Sequence, residues 1–315
     1  MCIRDRLDII LVIASIIMLW KGADWLVESA AEIAHSLKIS DLVIGLTVVA
    51  FGTSAPEFAV TIRAAITGQT DISIGNVVGS NIFNLGFILG GTAMIRAINI
   101  TPKLLYRDGF FLLSVTLLIY FLFFGFNGWD INDNISVIEG SFLFLYLIGY
   151  IIFLFIKKET IEETHPESAS VKSYTFFFIG LFSIVLGGHL MVEHASSLAR
   201  AFGVSDWVIA VTIVAAGTSA PELATSLTAA LKEKHGMAIG NLIGSDLFNL
   251  LGVLGLAGII NPTNIQADIH SSIIVLIIMV SMVLIMMRTG WKISRLEGTL
   301  LVSLNLIRWY LDFSG

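Results

Sequence analysis

Two hexapeptides, GTSAPE at Gly52–Glu57 and again at Gly217–Glu222, put a glycine, two hydroxyls, a proline and a carboxylate inside runs that are otherwise apolar. Such residues are costly at membrane depth and mark ion or substrate paths when they occur there. Thr53, Ser54 and Glu57 are spaced three or four apart, so they share one helix face. Pro56 has no N–H and frees the carbonyl of Gly52, a ready cation ligand. The second copy repeats the set as Thr218, Ser219, Pro221 and Glu222. Downstream, Ser80 and Asn84 share a face at i and i+4, and so do Ser245 and Asn249. Brought together, these groups are two carboxylates, several hydroxyls, two amides and freed carbonyls, with no histidine or thiol. That donor set suits a hard cation such as Ca2+, which takes roughly six to eight oxygens at roughly 2.3–2.6 Å, and not a transition metal, which favours nitrogen or sulfur. Two glutamates neutralise one divalent ion. Emptied, they repel, so the site should reload with sodium or protons before it reorients, which predicts antiport.

The elements that position these residues are membrane helices. The 315 residues are 56% hydrophobic and only 13% charged, with mean hydropathy +0.88; a soluble domain carries about 25% charged residues. A bilayer core of ~30 Å needs about 20 apolar residues per helix. Ten candidate spans follow, at 7–34, 41–66, 72–97, 106–125, 135–156, 174–200, 206–231, 237–260, 268–288 and 294–311. The polar stretch 157–173, KKETIEETHPESASVKS, reads as a linker between a first repeat at 1–156 and a second at 174–315. The single cysteine, Cys2, excludes an intramolecular disulfide and a thiolate metal site. The first six residues, MCIRDR, back-translate to a sequence resembling a library adapter, and no function is placed on Cys2, Arg4 or Arg6.

The two halves are copies. SDLVIGLTVVAFGTSAPEFAVTIRAA (40–65) matches SDWVIAVTIVAAGTSAPELATSLTAA (205–230), and IGNVVGSNIFNLGFILG (74–90) matches IGNLIGSDLFNLLGVLG (239–255), without a gap. Fainter echoes pair Val27-Glu28 with Val192-Glu193 and Glu139-Gly140 with Glu297-Gly298. Five spans per half is an odd number, so the second copy enters from the opposite side. An all-α fold of ten transmembrane helices in two inverted five-helix repeats is expected, with its site near the midplane, as in many secondary transporters. Counting lysines and arginines in the loops gives twelve on one side against five. That places both termini outside and the linker 157–173 in the cytoplasm of a multi-pass cell (inner) membrane protein.

At these residues the chain resembles the sodium/calcium exchanger family of the cation/Ca2+ antiporter superfamily. The paired signature is GTSAPE with GNVVGSNIFN, then GTSAPE with GNLIGSDLFN. The resemblance covers nearly the whole chain and is strongest to compact prokaryotic members. It implies a calcium site at Glu57 and Glu222 with backbone help around Thr53 and Thr218. It implies flanking sodium sites at Ser54, Ser80, Ser219, Ser245 and the carbonyls of Ala50 and Ala215, with Asn84 in the central cluster. It also implies that spans 1 and 6 slide as a unit across the other eight. The chain departs from the pattern at two positions. Some exchangers carry aspartate where this chain has Asn249, and Asp246 replaces the asparagine seen at Asn81. Asp246 lies roughly 100° around the helix from Ser245, so it either lines an ion path or bonds across helices. Sodium coupling, proton coupling and potassium dependence all stay open.

The other polar residues carry lesser expectations. Glu139 and Glu297 begin helices, where a negative charge suits the dipole. Asp24, Glu28 and Glu32 line a vestibule or face water. His189 and His194 are expected to face solvent, and a structural pair of Glu57 with Arg63 is the plainest alternative to a functional carboxylate. A passive cation channel is the rival class for the whole chain. An intramembrane enzyme is disfavoured, because no histidine lies near Ser54 or Ser219. The expected ligands are transported Ca2+ and Na+, with no cofactor. The surroundings are a lipid bilayer, with no nucleic acid and no obligate protein partner.

Overall fold

The computed structural model describes residues 3–68, 70–125, 134–157, 169–204, 209–264 and 267–314. Nearly all of them are helical, as a chain that must satisfy every backbone group away from water requires. Among the described residues, seven helices are long and apolar enough to cross a membrane, or eight if the bent pair Asp41–Thr53 and Ala55–Ile66 counts as one span.

The first half runs α1 (Ile3–Ser36), α2 (Asp41–Ile44), α3 (Ala50–Thr53), α4 (Ala55–Ile66), α5 (Thr70–Phe83), α6 (Gly90–Ile95), β1 (Ile98–Asn99), α7 (Phe110–Phe124), β2 (Asn134–Ile135) and α8 (Val137–Ile156). The second runs α9 (Val171–Ala201), α10 (Ala215–Thr218), α11 (Ala220–Leu231), α12 (His235–Leu247), α13 (Leu254–Ile260), β3 (Thr263–Asn264), α14 (Ala267–Arg288), β4 (Lys292–Ile293) and α15 (Arg295–Ser314). Short π-helical turns join several of these without ending the rod, at Gly45–Val49, Asn84–Leu89, Leu104–Gly109, Ala210–Val214 and Phe248–Val253. Four of the five recur in register or nearly so between the halves, flanking the motif segments; π-turns are frequent at functional sites. Sequence periodicity does not reveal them.

The motif helices form the centre. In the spans Ser73–Ile95 and His235–Ile260, 67% and 83% of the most apolar window is buried, against 28% for Arg6–Ser36, Val137–Ile156 and Val171–Ala201. The outer helices therefore face lipid and the motif helices face each other. α1 and α9 lie antiparallel along one another. A Cβ at Gly22 would meet the Gly180 carbonyl at 2.9 Å, and Ser183 donates to the Met18 carbonyl at 2.9 Å.

Reciprocal contacts tie the halves together. β1 pairs antiparallel with β4, Ile98 opposite Ile293, and β2 pairs with β3, Ile135 opposite Thr263. Glycine crossings match them: a Cβ at Gly140 would sit 2.6 Å from the Gly255 carbonyl, and one at Gly298 would sit 2.6 Å from the Gly90 carbonyl. Such small-residue contacts let membrane helices approach closely. Just ahead of each glycine is a cap. Glu139 accepts from the Ser136 N–H at 2.8 Å, and Glu297 accepts from the Ser294 N–H at 2.8 Å. The expected helix-start role of both glutamates is seen.

Two boundaries differ from expectation. α9 starts at Val171, capped by the Ser170 hydroxyl, which accepts from the Ser173 N–H, so the end of the stretch assigned to the linker is helical. Residues 158–168 of that stretch lie outside the described residues. Spans 41–66 and 206–231 are each broken within the motif instead of running straight, for a reason that belongs to the site.

Candidate cation site

The break is local chemistry. Pro56 and Pro221 each sit in the first turn of a helix, where a missing N–H costs nothing. Ser54 and Ser219 adopt φ −78°, ψ 7° and φ −90°, ψ 10°, outside the helical well. In the first copy the helix turns by 51° there. The turn directs Thr53, Ser54 and Glu57 toward the matching residues of the other half.

Two hydrogen bonds cross between the copies at the centre. The Ser54 hydroxyl donates to Glu222 Oε1 at 3.0 Å, and the Ser219 hydroxyl donates to Glu57 Oε1 at 2.9 Å. Both glutamates are 1% exposed. In each, the second oxygen, Oε2, has no partner. Buried carboxylate oxygens without donors are costly, and a cation removes that cost. Arg63 is exposed and Glu57 is bonded to Ser219 instead, so the structural-pair alternative does not hold.

Around this pair lie the other expected residues. Ser245 donates to Glu222 Oε1 at 3.4 Å. The Thr53 hydroxyl has the Ala50 carbonyl at 3.2 Å and Asn241 Oδ1 at 3.0 Å as acceptors for its one proton. The Ala50 carbonyl also accepts from the Ser54 N–H at 3.0 Å. Ser80 and Thr218 are buried on the same helices as their partners, at 7% and 9% exposure. Ala215 opens α10, next to the Ala210–Val214 π-turn. Asn84 donates to Asp246 Oδ1 at 3.0 Å, and Asn249 donates to Asn81 Oδ1 at 3.0 Å. Asp246 is thus bonded across helices, one of the two roles left open for it.

Several residues of the cluster were not singled out from sequence. Asn241 donates to Ser226 at 3.0 Å, and Asn76 donates to Thr61 at 2.9 Å, the same bond in the other half. Asn81 donates to the Asp246 carbonyl at 3.1 Å. Asn76 and Asn241, and the hydroxyls of Thr61 and Ser226, recur at the repeat offset, a signal that the sequence carries; Asn81 does not recur, because its counterpart is Asp246. These bonds hold the motif helices in register and leave the unpaired oxygens inside. Among the described residues, no trio of histidine, cysteine, aspartate and glutamate forms a metal centre. A cation at the centre would therefore be met by mixed carboxylate, hydroxyl, amide and carbonyl oxygen.

Further out, the acidic residues of α1 are paired. Asp24 and Glu28 accept from Lys232, the former at 2.5 Å, and Glu32 accepts from Ser173 at 2.5 Å. The expectation for His194 is corrected. Its side chain is 14% exposed and turns inward, with Nδ1 2.8 Å from Asp8 Oδ1, where it joins α9 to α1. His189 is exposed as expected, at 71%.

Comparison with known proteins gives the family. The Sodium/calcium exchanger protein family matches residues 7–156 and 172–310. The putative antiporter CaxA of Alkalimonas amylolytica is 35% identical, over 97% of this chain and 98% of its own length. The sodium/calcium exchanger MaX1 of Methanosarcina acetivorans is 32% identical, over 94% of this chain and 95% of its own. Among solved structures, the sodium-calcium exchanger NCX_Mj soaked with 10 mM Na+ and zero Ca2+ superposes with a TM-score of 0.84 at 32% identity, covering 96% of this chain and 98% of that one. A match across both halves, at this identity and shared fold, means that the chain belongs to the sodium/calcium exchanger family.

Proposed function

We propose that this protein exchanges Ca2+ for Na+ across the cell membrane by alternating access. Glu57 and Glu222 hold the divalent ion, with oxygen help from Thr53 and Thr218. Ser54, Ser80, Ser219, Ser245 and the carbonyls of Ala50 and Ala215 serve the sodium ions, and Asn84 and Asn249 complete the centre. The observation that carries the proposal is the crossed pair of serine–glutamate bonds with both Oε2 atoms unpartnered. Each carboxylate is held by the opposite repeat, so a bound ion couples both halves. Exchange of Ca2+ and Na+ is also what the names of MaX1 and NCX_Mj state for those relatives.

The architecture in this reading is ten transmembrane helices in two inverted halves, 1–156 and 174–315, joined by a cytoplasmic linker at 157–173, with both termini outside. The reciprocal pairing of β1 with β4 and β2 with β3 supports a two-fold relation between the halves. α1 and α9, packed glycine to backbone at Gly22 and Gly180, move together across the rest. The loop around Lys232 is then on the cytoplasmic side.

The test is uptake of radiolabelled Ca2+ into proteoliposomes, driven by an outward Na+ gradient or, separately, by an outward H+ gradient, with and without K+. Uptake driven by sodium is expected. Uptake driven only by protons would replace sodium with proton coupling, and a requirement for K+ would add a co-ion. Glu57→Gln and Glu222→Gln are each expected to abolish uptake while the protein stays inserted and folded. Substantial uptake in either variant would remove the central claim.

A further inference from the structure

The centre holds a third carboxylate that the crossed glutamate pair does not use. Asp246 is fully buried on α12. It is bound from two directions by the first half: Asn84 donates to its Oδ1 at 3.0 Å, and Asn81 donates to its backbone carbonyl at 3.1 Å. Asn249 closes the cluster by donating to Asn81 Oδ1 at 3.0 Å. Each of the three amides thus donates one N–H to a neighbour within the cluster. What remains unpartnered is oxygen only: Asp246 Oδ2, Asn84 Oδ1 and Asn249 Oδ1, all buried.

Three buried acceptors on side chains linked by these bonds meet no donor in the structure, and that specifies the missing group. A proton on Asp246 Oδ2 would satisfy one of the three. A water molecule donates to two and leaves the carboxylate charge buried without a counter-charge, which is the expensive case. A metal cation supplies the missing counter-charge and takes amide oxygens as further ligands, since carboxylate and amide oxygens are the ordinary ligands of hard cations. The three carboxylates do not converge on one ion, so this cation is additional to the one between Glu57 and Glu222. One carboxylate supplies one negative charge.

We infer that Asp246, with the Asn84 and Asn249 side-chain oxygens, binds a monovalent alkali cation, so that the third charge of the centre comes from position 246. The inference rests on the exchanger reading and adds to it the residue that sets the monovalent count. The repeat sharpens it: the equivalent position in the first half is Asn81, which bonds to Asp246 and Asn249 and carries no charge. The cluster therefore contains one charge, placed by the second half alone.

The test is equilibrium binding of radiolabelled Na+, Rb+ (as a probe for K+) and Ca2+ to the purified full chain in detergent. Asp246→Asn keeps an Oδ1 to accept from Asn84, so a purely structural role for Asp246 survives the change. The expected result is loss of one monovalent site, or about tenfold weaker binding at it, with Ca2+ still bound. Asp246→Asn/Asn249→Asp, which returns one charge to the cluster, is expected to recover monovalent binding. Unchanged monovalent number and affinity in Asp246→Asn overturns the inference, and so does wild-type occupancy of this site by a proton alone. Asp246→Glu covers the case in which Asp246→Asn does not fold. It keeps the charge and displaces the oxygens, so a changed Na+ over Rb+ preference supports the inference and an unchanged one overturns it. Wild-type protein that binds no Ca2+ at all would overturn the exchanger reading itself, a result distinct from any of these.

Discussion

Two stretches of nearly the same sequence meet their neighbours in opposite ways. α12 lies flat on the segment Asp41–Ala50. Gly240 and Gly244 are buried there, and a Cβ at Gly244 would stand 2.6 Å from the Leu46 carbonyl and 2.7 Å from Ala50 Cβ. The matching helix in the first half, α5, carries Gly75 and Gly79 at the equivalent positions. Gly75 is exposed and Gly79 half-buried, and a Cβ at either would meet nothing within 4 Å among the described residues. Residual exposure follows the same split: Ser80 and Thr218 are 7% and 9% exposed, whereas Ser245 and Thr53 are fully buried. Local propensity cannot explain this, because the glycine spacing is identical in the two helices. Among the described residues the two copies of one packing scheme therefore differ, sealed at Gly240/Gly244 and uncovered at Gly75/Gly79, while residues 206–208 of the segment matching Asp41–Ala50 lie outside them. A protein with two copies of one seal, one shut and one open, has the parts for alternating access, and the reverse state needs only that the two exchange roles.

The largest effect is expected from breaking the closed seal. Gly244→Val puts a branched side chain where even a Cβ is too close to backbone. Overpacking of this kind costs about 1–3 kcal/mol, roughly a tenfold to hundredfold shift away from the sealed state. Leu42→Cys, in a Cys2→Ser background, reports on it, since Leu42 is buried against Gly240. Labelling of that cysteine by a membrane-impermeant reagent should accelerate by about that factor in Gly244→Val, with Gly244→Ala intermediate. An unchanged rate would mean that the contact does not seal a water path.

The open seal gives the converse test. Gly79→Ala meets nothing in the present conformation, so folding and Ca2+ binding should stay close to wild type. Closure would bring this position against the second copy as Gly244 now meets Leu46, and an added methyl would obstruct it. Exchange in proteoliposomes is therefore expected to fall by about tenfold while equilibrium Ca2+ binding is retained. Wild-type exchange in Gly79→Ala would show that the Gly75/Gly79 face never closes and that the two halves are not interchangeable.

Much of the site could be read from the sequence, and the reason is repetition. Glu57 and Glu222 recur with the same hydroxyls and proline, and packing alone does not require that. Pro56 and Pro221 marked a freed carbonyl in each motif without giving the break in the span, and Glu139 and Glu297 announced helix starts. What stayed hidden depends on contacts between distant segments. His194 sits in a polar run near the end of its span, so nothing local says that it turns inward to Asp8. Asp246 is one residue from a site serine, and only the position of Asn84 on another helix decides that it belongs to the cluster. The π-turns are set by tertiary packing, not by residue type. The open and closed faces could not be read at all, because two stretches with the same glycine spacing cannot by themselves say which is shut.

The smallest effect expected lies at the rim of the closed side. Lys232 ends α11 and donates to Asp24 and Glu28 of α1, fastening the α1–α9 pair to the core, and Lys234 lies 3.8 Å from Asp41 nearby. Glu28 is 58% exposed, so solvent screens much of this attraction. Lys232→Met keeps the aliphatic stem and removes the charge, a loss of about 1 kcal/mol or less, roughly fivefold at most in the labelling rate of Leu42→Cys. Burial opposes the Lys232 charge, but the bonds and charges of Asp24 and Glu28 outweigh it and hold the pKa above the ordinary lysine value of 10.5. Because the folded-state value is the raised one, the tie is fully present below the unfolded value and is lost only as pH climbs past the folded one. The ratio of labelling rates in Lys232→Met and wild type should therefore stay constant between about pH 6 and 9. A ratio that changed within that window would place the controlling ionisation on another group and leave Lys232 as a passive contact, with the glycine seal alone deciding which side is shut.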